Sequence, residues 1–243
     1  MPHAPAPEDQ RVVPVDEGVW VVDYPMVLAA GLRLPTRMTV VALGGGRLLC
    51  HSPVPLSAAA ADQLRELGEV TVLVAPNCFH HLFIPELQRH APEARLYGAP
   101  GLAAKRSDLR FDGELDDGDG DWRGVLERLP IDGAPVMNES VFFHPATATL
   151  LVADLVFNLL SPSGVTAHLG LRLMGVHGRL AQSRVWRFVL VKDRAAAAAS
   201  CRELLAWPIE RLVPCHGELE PASGRSPAVR DRLASALSWM LSG

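Results

Sequence analysis

Histidine is the commonest metal ligand and the commonest acid–base side chain, and this chain has nine of them. Three stand directly beyond apolar runs that read as buried strands, and an aspartate holds the same kind of position. Val70–Ala75 leads into Pro76, Asn77, Cys78, Phe79, His80 and His81. Thr149–Ala153 leads to Asp154, and Ile209–Pro214 leads through Cys215 to His216, Gly217 and Glu218. Sites in layered α/β proteins collect beyond strand carboxyl ends, where a rigid sheet aims side chains from distant positions at one point. His80, His81, Asp154 and His216 together form a nitrogen and oxygen donor set suited to one divalent ion, Zn²⁺ first and Fe²⁺ or Mn²⁺ as alternatives. Water retained on such an ion becomes a hydroxide nucleophile near neutral pH, which is hydrolytic chemistry.

A plainer reading stands beside this one. A His-His pair after a strand also hydrogen-bonds loop carbonyls, and an Asp at a strand end also caps a turn. Asn77 and Glu139 are secondary candidates, as an extra ligand or a hydrogen-bond donor in the same groove. Cys78 is either a soft ligand or nucleophile, or a buried inert thiol. His51, which follows another strand, and His144 are candidate neighbours.

The positioning elements follow from pattern. Val12–Val13, Val19–Val22 and Met38–Leu43 read as short strands, and Gly44–Gly46 as a hairpin turn into Arg47–Cys50. Ser57 is a good N-cap for a helix reaching Leu67, stopped by Gly68 before the Val70–Ala75 strand. Helical turns are expected near Ile84–His90 and Leu102–Arg106, with a strand at Arg95–Tyr97 between them. Strands follow at Gly124–Ile131, Ser140–Phe143 and Thr149–Ala153. Residues 166–207 read as mainly helical, and Pro227–Leu241 as one terminal amphipathic helix. Strands in two batches, each closed by helices, indicate an α/β (α+β) layered domain: a tail over residues 1–10 and one domain over residues 11–243.

Composition narrows the function classes. With 49% hydrophobic and 21% charged residues, the chain can bury enough apolar surface to fold. A net charge of −4, from 27 acidic and 23 basic residues, gives no global field for nucleic acid or an anionic membrane, so any such binding must be local. The expected partner is a small-molecule substrate, with no membrane and with nucleic acid disfavoured. No leader pattern, no long apolar run and no C-x-x-C pair is present, and a cytoplasmic protein with four reduced thiols is expected.

In order, Ala75–His81, Thr149–Asp154 and Val213–Gly217 resemble the skeleton of the metallo-β-lactamase superfamily. The chain is most similar to a branch of that fold known as a domain of unknown function. That likeness rests on His51–Leu56, Ala75–Phe83, Ala94–Leu102, Glu139–His144 and Thr149–Asn158. The resemblance implies a four-layer αβ/βα sandwich with its groove along one edge of the two sheets.

It also implies departures from the superfamily pattern. Laid on residues 76–81, the first metal motif H-x-H-x-D-H keeps only its last histidine, His81, and has His80 in place of the aspartate. The next expected histidine falls near Val136–Glu139, where none occurs. Asp154 falls on the bridging aspartate and His216 on the last histidine. The resemblance therefore implies a mononuclear site of His81, Asp154 and His216, with His80 as a substitute ligand, in a metal-dependent hydrolase of esters, thioesters, amides or phosphoesters. Its alternatives are a binding or scaffold protein that has lost the metal, and a mononuclear iron redox enzyme.

Three other motifs point elsewhere. Asp116–Asp121 resembles a calcium loop but lacks the glycine and the closing glutamate of an EF-hand. The segment His168–Arg194 is rich in arginine and is expected to be an amphipathic helix with a charged solvent face, although contact with a phosphate-bearing partner or RNA is its alternative. Gly44–Gly46 lacks the following helix and lysine of a phosphate-cradling loop.

Overall fold

The computed structural model describes residues 4–27, 33–118, 120–161 and 165–242. The chain divides into two compact units, one of residues 1–27 and 35–125 and the other of residues 28–34 and 126–243.

The first unit is built on a seven-stranded sheet in sequential order, β1 (Val13–Asp16), β2 (Val19–Val27), β3 (Arg33–Gly44), β4 (Arg47–His51), β5 (Glu69–Ala75), β6 (Arg95–Gly98) and β7 (Gly113–Glu114). β3 and β4 form the antiparallel hairpin expected at Gly44–Gly46, where three successive glycines take positive φ. From β4 onward the strands run parallel, because each connection crosses over through a helix: α1 (Ala58–Leu67), α2 (Ile84–Gln88) and α3 (Leu102–Lys105). The Ser57 hydroxyl accepts from Ala60 N and caps α1, as its residue type predicts. Cys50, Val72, Leu73, Val74 and Leu96 are buried on these central strands, which explains their near-continuous apolar character.

Residues 1–3 of the expected tail lie outside the described residues, and Gln10 at its end is buried. Its Nε2 donates to Asp23 O and Pro55 O, and its Oε1 accepts from Ser57 N.

The second unit contains a four-stranded sheet ordered β13-β10-β9-β8, from β8 (Glu127–Pro130), β9 (Ser140–His144), β10 (Thr149–Val152) and β13 (Arg211–Pro214). A small pair, β11 (Phe157–Asn158) and β12 (Leu180–Ala181), lies beyond it. Its helices are α4 (Val165–Met174), α5 (Arg194–Leu204), α6 (Ala228–Ala236) and α7 (Ser238–Leu241). Phe143, Leu150, Val152, Trp186, Leu204, Leu212, Leu233 and Met240 belong to one buried cluster.

The two helical expectations gain breaks. Residues 166–207 are mainly helical, as expected, but in separate pieces: α4 stops at Gly175, which has φ +78, and the chain turns again at Gly178, with φ +69. Both conformations are cheap only for glycine. A π-helical turn, Trp186–Leu190, and α5 complete the segment. The terminal helix breaks at Leu237, whose burial holds the chain against the core.

Candidate metal centre

β10 and β13 pair in parallel, with Val152 beside Pro214, so both strands run out at the same end of their sheet. Asp154 and His216 each lie two residues beyond that register pair and meet there. His216 Nε2 is 3.3 Å from Asp154 Oδ1, with the side chains 3% and 13% exposed. The imidazole lies flat on the Phe157 ring at a centroid distance of 5.0 Å, which fixes its plane. The glycine after His216 is a steric requirement: Gly217 has φ +100, and a Cβ there would sit 2.1 Å from Asn158 O. That close approach lets Asn158 N donate to His216 O and Glu218 N to Asn158 O. The Glu218 carboxylate accepts from Leu160 N and Ser161 N.

Glu139 has a different role from the one its sequence position suggests. It is 1% exposed, with Oε1 accepting from Ala153 N and Leu155 N at 3.0 Å each and Oε2 from Asp154 N at 2.9 Å. A carboxylate taken up by backbone donors in this way is an acceptor that shapes the β10 exit, rather than a hydrogen-bond donor in the groove. Trp186 Nε1 donates to Asp154 O at 2.6 Å, gripping the same turn from its carbonyl side.

In the first unit, β4 and β5 also run parallel, with His51 beside Val74, and their exits carry Ser52 and the Asn77–His81 loop. Asn77 is buried, and its Oδ1 accepts from Phe79 N at 2.8 Å and His80 N at 2.9 Å. It therefore closes an Asx turn that presents His80. Ser52 Oγ lies 2.5 Å from His80 Nδ1. Ser52 takes φ +57, a left-handed conformation that costs a non-glycine residue about 1 kcal/mol or more. Its amide donates to Val74 O at 2.9 Å.

His81 faces a different partner. Arg106 Nη1 lies 2.8 Å from His81 Nδ1 and also donates to His81 O, while the rest of the guanidinium clamps Asp108 at 2.7 and 2.6 Å. A guanidinium only donates, so Nδ1 is the acceptor and the neutral ring carries its proton on Nε2. Neither ring nitrogen then has a spare lone pair. Burial first, then the charges of Lys105 and Arg106, push the His81 pKa down to about 4, consistent with a neutral ring. Lys105 Nζ donates to Cys78 O at 2.6 Å and sits 4.8 Å from the Phe79 ring centroid. The end of α3 thus pins the loop, a role the sequence reading assigned to no residue.

The remaining candidates separate from these groups. His51 is fully buried, and burial, with His80 adding to it, lowers its pKa to about 3. His144 pairs with Thr149 at the start of β10, the opposite end of the sheet from Asp154, and its Nδ1 lies 2.7 Å from Thr147 Oγ1. Cys78 is 8% exposed, and burial raises its thiol pKa, so the inert-thiol reading fits. In the acidic loop Asp121 accepts from Tyr97 and Arg95 and Asp117 from Glu114 N; Asp119 lies outside the described residues. Those carboxylates serve the turn.

Residues 16–104 match the model of a family described as a domain of unknown function, DUF4336. No curated protein matches the chain. Among solved structures, the DIM-1 metallo-β-lactamase is 14% identical, covers 97% of this chain and 99% of its own, and superposes with a TM-score of 0.64. The FIM-1 metallo-β-lactamase from Pseudomonas aeruginosa, in a mono-zinc form, is 12% identical over 96% of this chain and 97% of its own, with a TM-score of 0.62. The Flv1 flavodiiron core from Synechocystis is 14% identical over 96% of this chain and 61% of its own, with a TM-score of 0.60. Identities this low carry the architecture and nothing finer. The chain has the metallo-β-lactamase fold, and the match over residues 16–104 agrees with a branch of that fold whose function is unknown.

Proposed function

We propose that the chain is a metal-dependent hydrolase of a small-molecule ester, thioester, amide or phosphoester, with one divalent ion at Asp154 and His216 and with His80 as the further ligand that the sequence offers. The observation that carries this reading is the buried contact of His216 Nε2 with Asp154 Oδ1 at the paired exits of β10 and β13. The two potential ligands are held side by side by the Glu139 cradle, the Trp186 indole and the Phe157 ring.

The donor chemistry fits a cation. Asp154 and His216 meet within one unit, and His80 is the further imidazole that the sequence offers. Ser52 engages Nδ1 of His80, and outer partners of this kind set the tautomer of metal-binding histidines. His81 is left out, because Arg106 takes its Nδ1 and its proton resides on Nε2. When bound, the cation supplies Lewis acidity to the substrate oxygen and to water. The Asp154 carboxylate is the group that would take up a water proton, and the Glu139 cradle and the Trp186 indole hold the backbone turn that carries it. Phe79 and Leu82, exposed on the His80 loop, offer apolar contact to the non-reacting part of a substrate.

Two imidazoles and one carboxylate suit zinc, and the same set suits non-heme iron; this donor set keeps the mononuclear iron enzyme as the second reading. Metal analysis of protein purified without chelator, followed by assays on activated esters, thioesters, amides and phosphodiesters, tests the proposal. Hydrolysis that depends on zinc supports it, and oxygen-dependent spectral change of the iron form supports the second reading. Full metal occupancy surviving both His216→Ala and Asp154→Ala sinks the site. Bound metal with no turnover on any class leaves a binding protein of the same fold.

A further inference from the structure

The arginine-rich segment presents a face that its sequence pattern does not predict. On α4, Leu171 is buried, but Leu169 and Leu173, one helical turn apart, are 63% and 67% exposed. In the π-helical turn, Trp186 and Leu190 face inward, whereas Phe188 and Val189 are 75% and 55% exposed. The two pieces adjoin: Arg184 Nη1 donates to Leu173 O at 3.2 Å, and Arg184 lies against Gly175, where a Cβ would meet its Cγ at 3.2 Å. Protruding aliphatic side chains therefore belong to one surface of the second unit.

That surface is also strongly basic. From Leu155 to Lys192 the chain has no acidic residue and carries Arg172, Arg179, Arg184, Arg187 and Lys192. Arg187 sits close enough to Arg179 and Arg184 that, after burial, their charges pull its pKa down. Its Nε is buried with no hydrogen-bond partner among the described residues. Like charges gathered beside exposed apolar groups call for an anionic partner that also takes up aliphatic side chains.

We propose that the apolar face of α4 and the Trp186–Leu190 turn docks on an anionic phospholipid surface, with the arginine cluster meeting the headgroup phosphates. Basic residues flanking protruding leucine, valine and phenylalanine are the signature of an interfacial segment that lies on a bilayer without crossing it. No helix among the described residues is long and apolar enough to cross a membrane, in keeping with surface docking. RNA is the poorer fit, because it rewards aromatic stacking, and here Phe188 is the lone aromatic group among exposed aliphatic ones. A second copy would bring its own arginines against these. The local field runs against the overall negative charge, which is why composition alone argues against a membrane partner. This inference does not depend on the proposed hydrolase site.

Vesicle flotation of the full chain tests it, using phosphatidylcholine with and without phosphatidylglycerol. Binding is expected to the anionic vesicles alone, to weaken with salt, and to fall about fivefold for each arginine removed at Arg172 or Arg179. Leu173→Glu with Phe188→Glu is expected to abolish flotation with circular dichroism and melting temperature unchanged, since both side chains are exposed. The proposal is overturned by equal binding to neutral vesicles, by flotation that survives the double glutamate variant, or by absence of flotation at low salt. Saturable binding of single-stranded RNA or inorganic phosphate without flotation, or sedimentation showing a dimer that the double variant dissociates, also overturns it.

Discussion

His216 Nε2 and Asp154 Oδ1 stand 3.3 Å apart, brought together by the parallel register of two strands whose exits are 62 residues apart in the chain, as the numbers 154 and 216 show. If this pair binds a cation, a chelator must lower the melting temperature of the protein. At a free ion concentration about a hundred times the dissociation constant, the ion adds about 2.7 kcal/mol to stability. His216→Ala and Asp154→Ala are expected to abolish the chelator-sensitive part of the melt, read by calorimetry with and without added zinc.

Glu139 receives three amide protons around Asp154. Glu139→Gln keeps the shape but turns an amide N–H toward at least one of those donors. An expected loss of about 1–3 kcal/mol in denaturant unfolding should accompany a metal affinity about 10–100-fold weaker. Unchanged metal affinity in a folded Glu139→Gln protein would show that the cradle serves the fold alone.

His81 separates the two possible ligand sets. The family resemblance implies that His81 binds the metal, whereas the Arg106 contact to Nδ1 removes its lone pair. His81→Asn is expected to keep full metal stoichiometry, and His80→Asn to lose it. The opposite result by elemental analysis would restore the resemblance's assignment.

Ser52→Ala removes the hydroxyl 2.5 Å from His80 Nδ1 while leaving the strained φ of that position in place. Metal affinity is expected to fall about 10–100-fold with little change in substrate selectivity. Competition with a fluorescent zinc chelator measures this directly.

The metal-free protein should be acid-sensitive. Burial lowers the His51 pKa to about 3 in the folded state, while the unfolded chain protonates it near 6.5. Above pH 6.5 the ring is neutral in both states and carries no penalty. As pH falls from 6.5 toward 3, the unfolded state binds a proton that the folded state does not, and stability falls by at most about 1.4 kcal/mol per pH unit from this group. His51→Gln should flatten that slope in urea titrations at pH 7, 5 and 4.

Local composition was enough to locate where chemistry-bearing residues leave the sheets. Val70–Ala75, Thr149–Ala153 and Ile209–Pro214 are apolar enough to be buried strands, and β5, β10 and β13 form within a residue or two of those bounds. The Ser57 cap and the glycine hairpin were legible for the same reason, since local residue types carry them, whereas the metallo-β-lactamase fold was legible through the resemblance of the motifs to that superfamily. What each side chain does at a strand exit was decided by tertiary structure. Glu139 reads as a groove residue until three amides converge on it, and His81 reads as a ligand until Arg106 takes its nitrogen. The His168–Arg194 segment reads as a helix with a charged solvent face until Leu169 and Leu173 stand exposed on it. Hydrogen-bond partners and burial arise between residues far apart in the chain, so periodicity and spacing place a residue on an element without deciding which of its atoms remain available for chemistry.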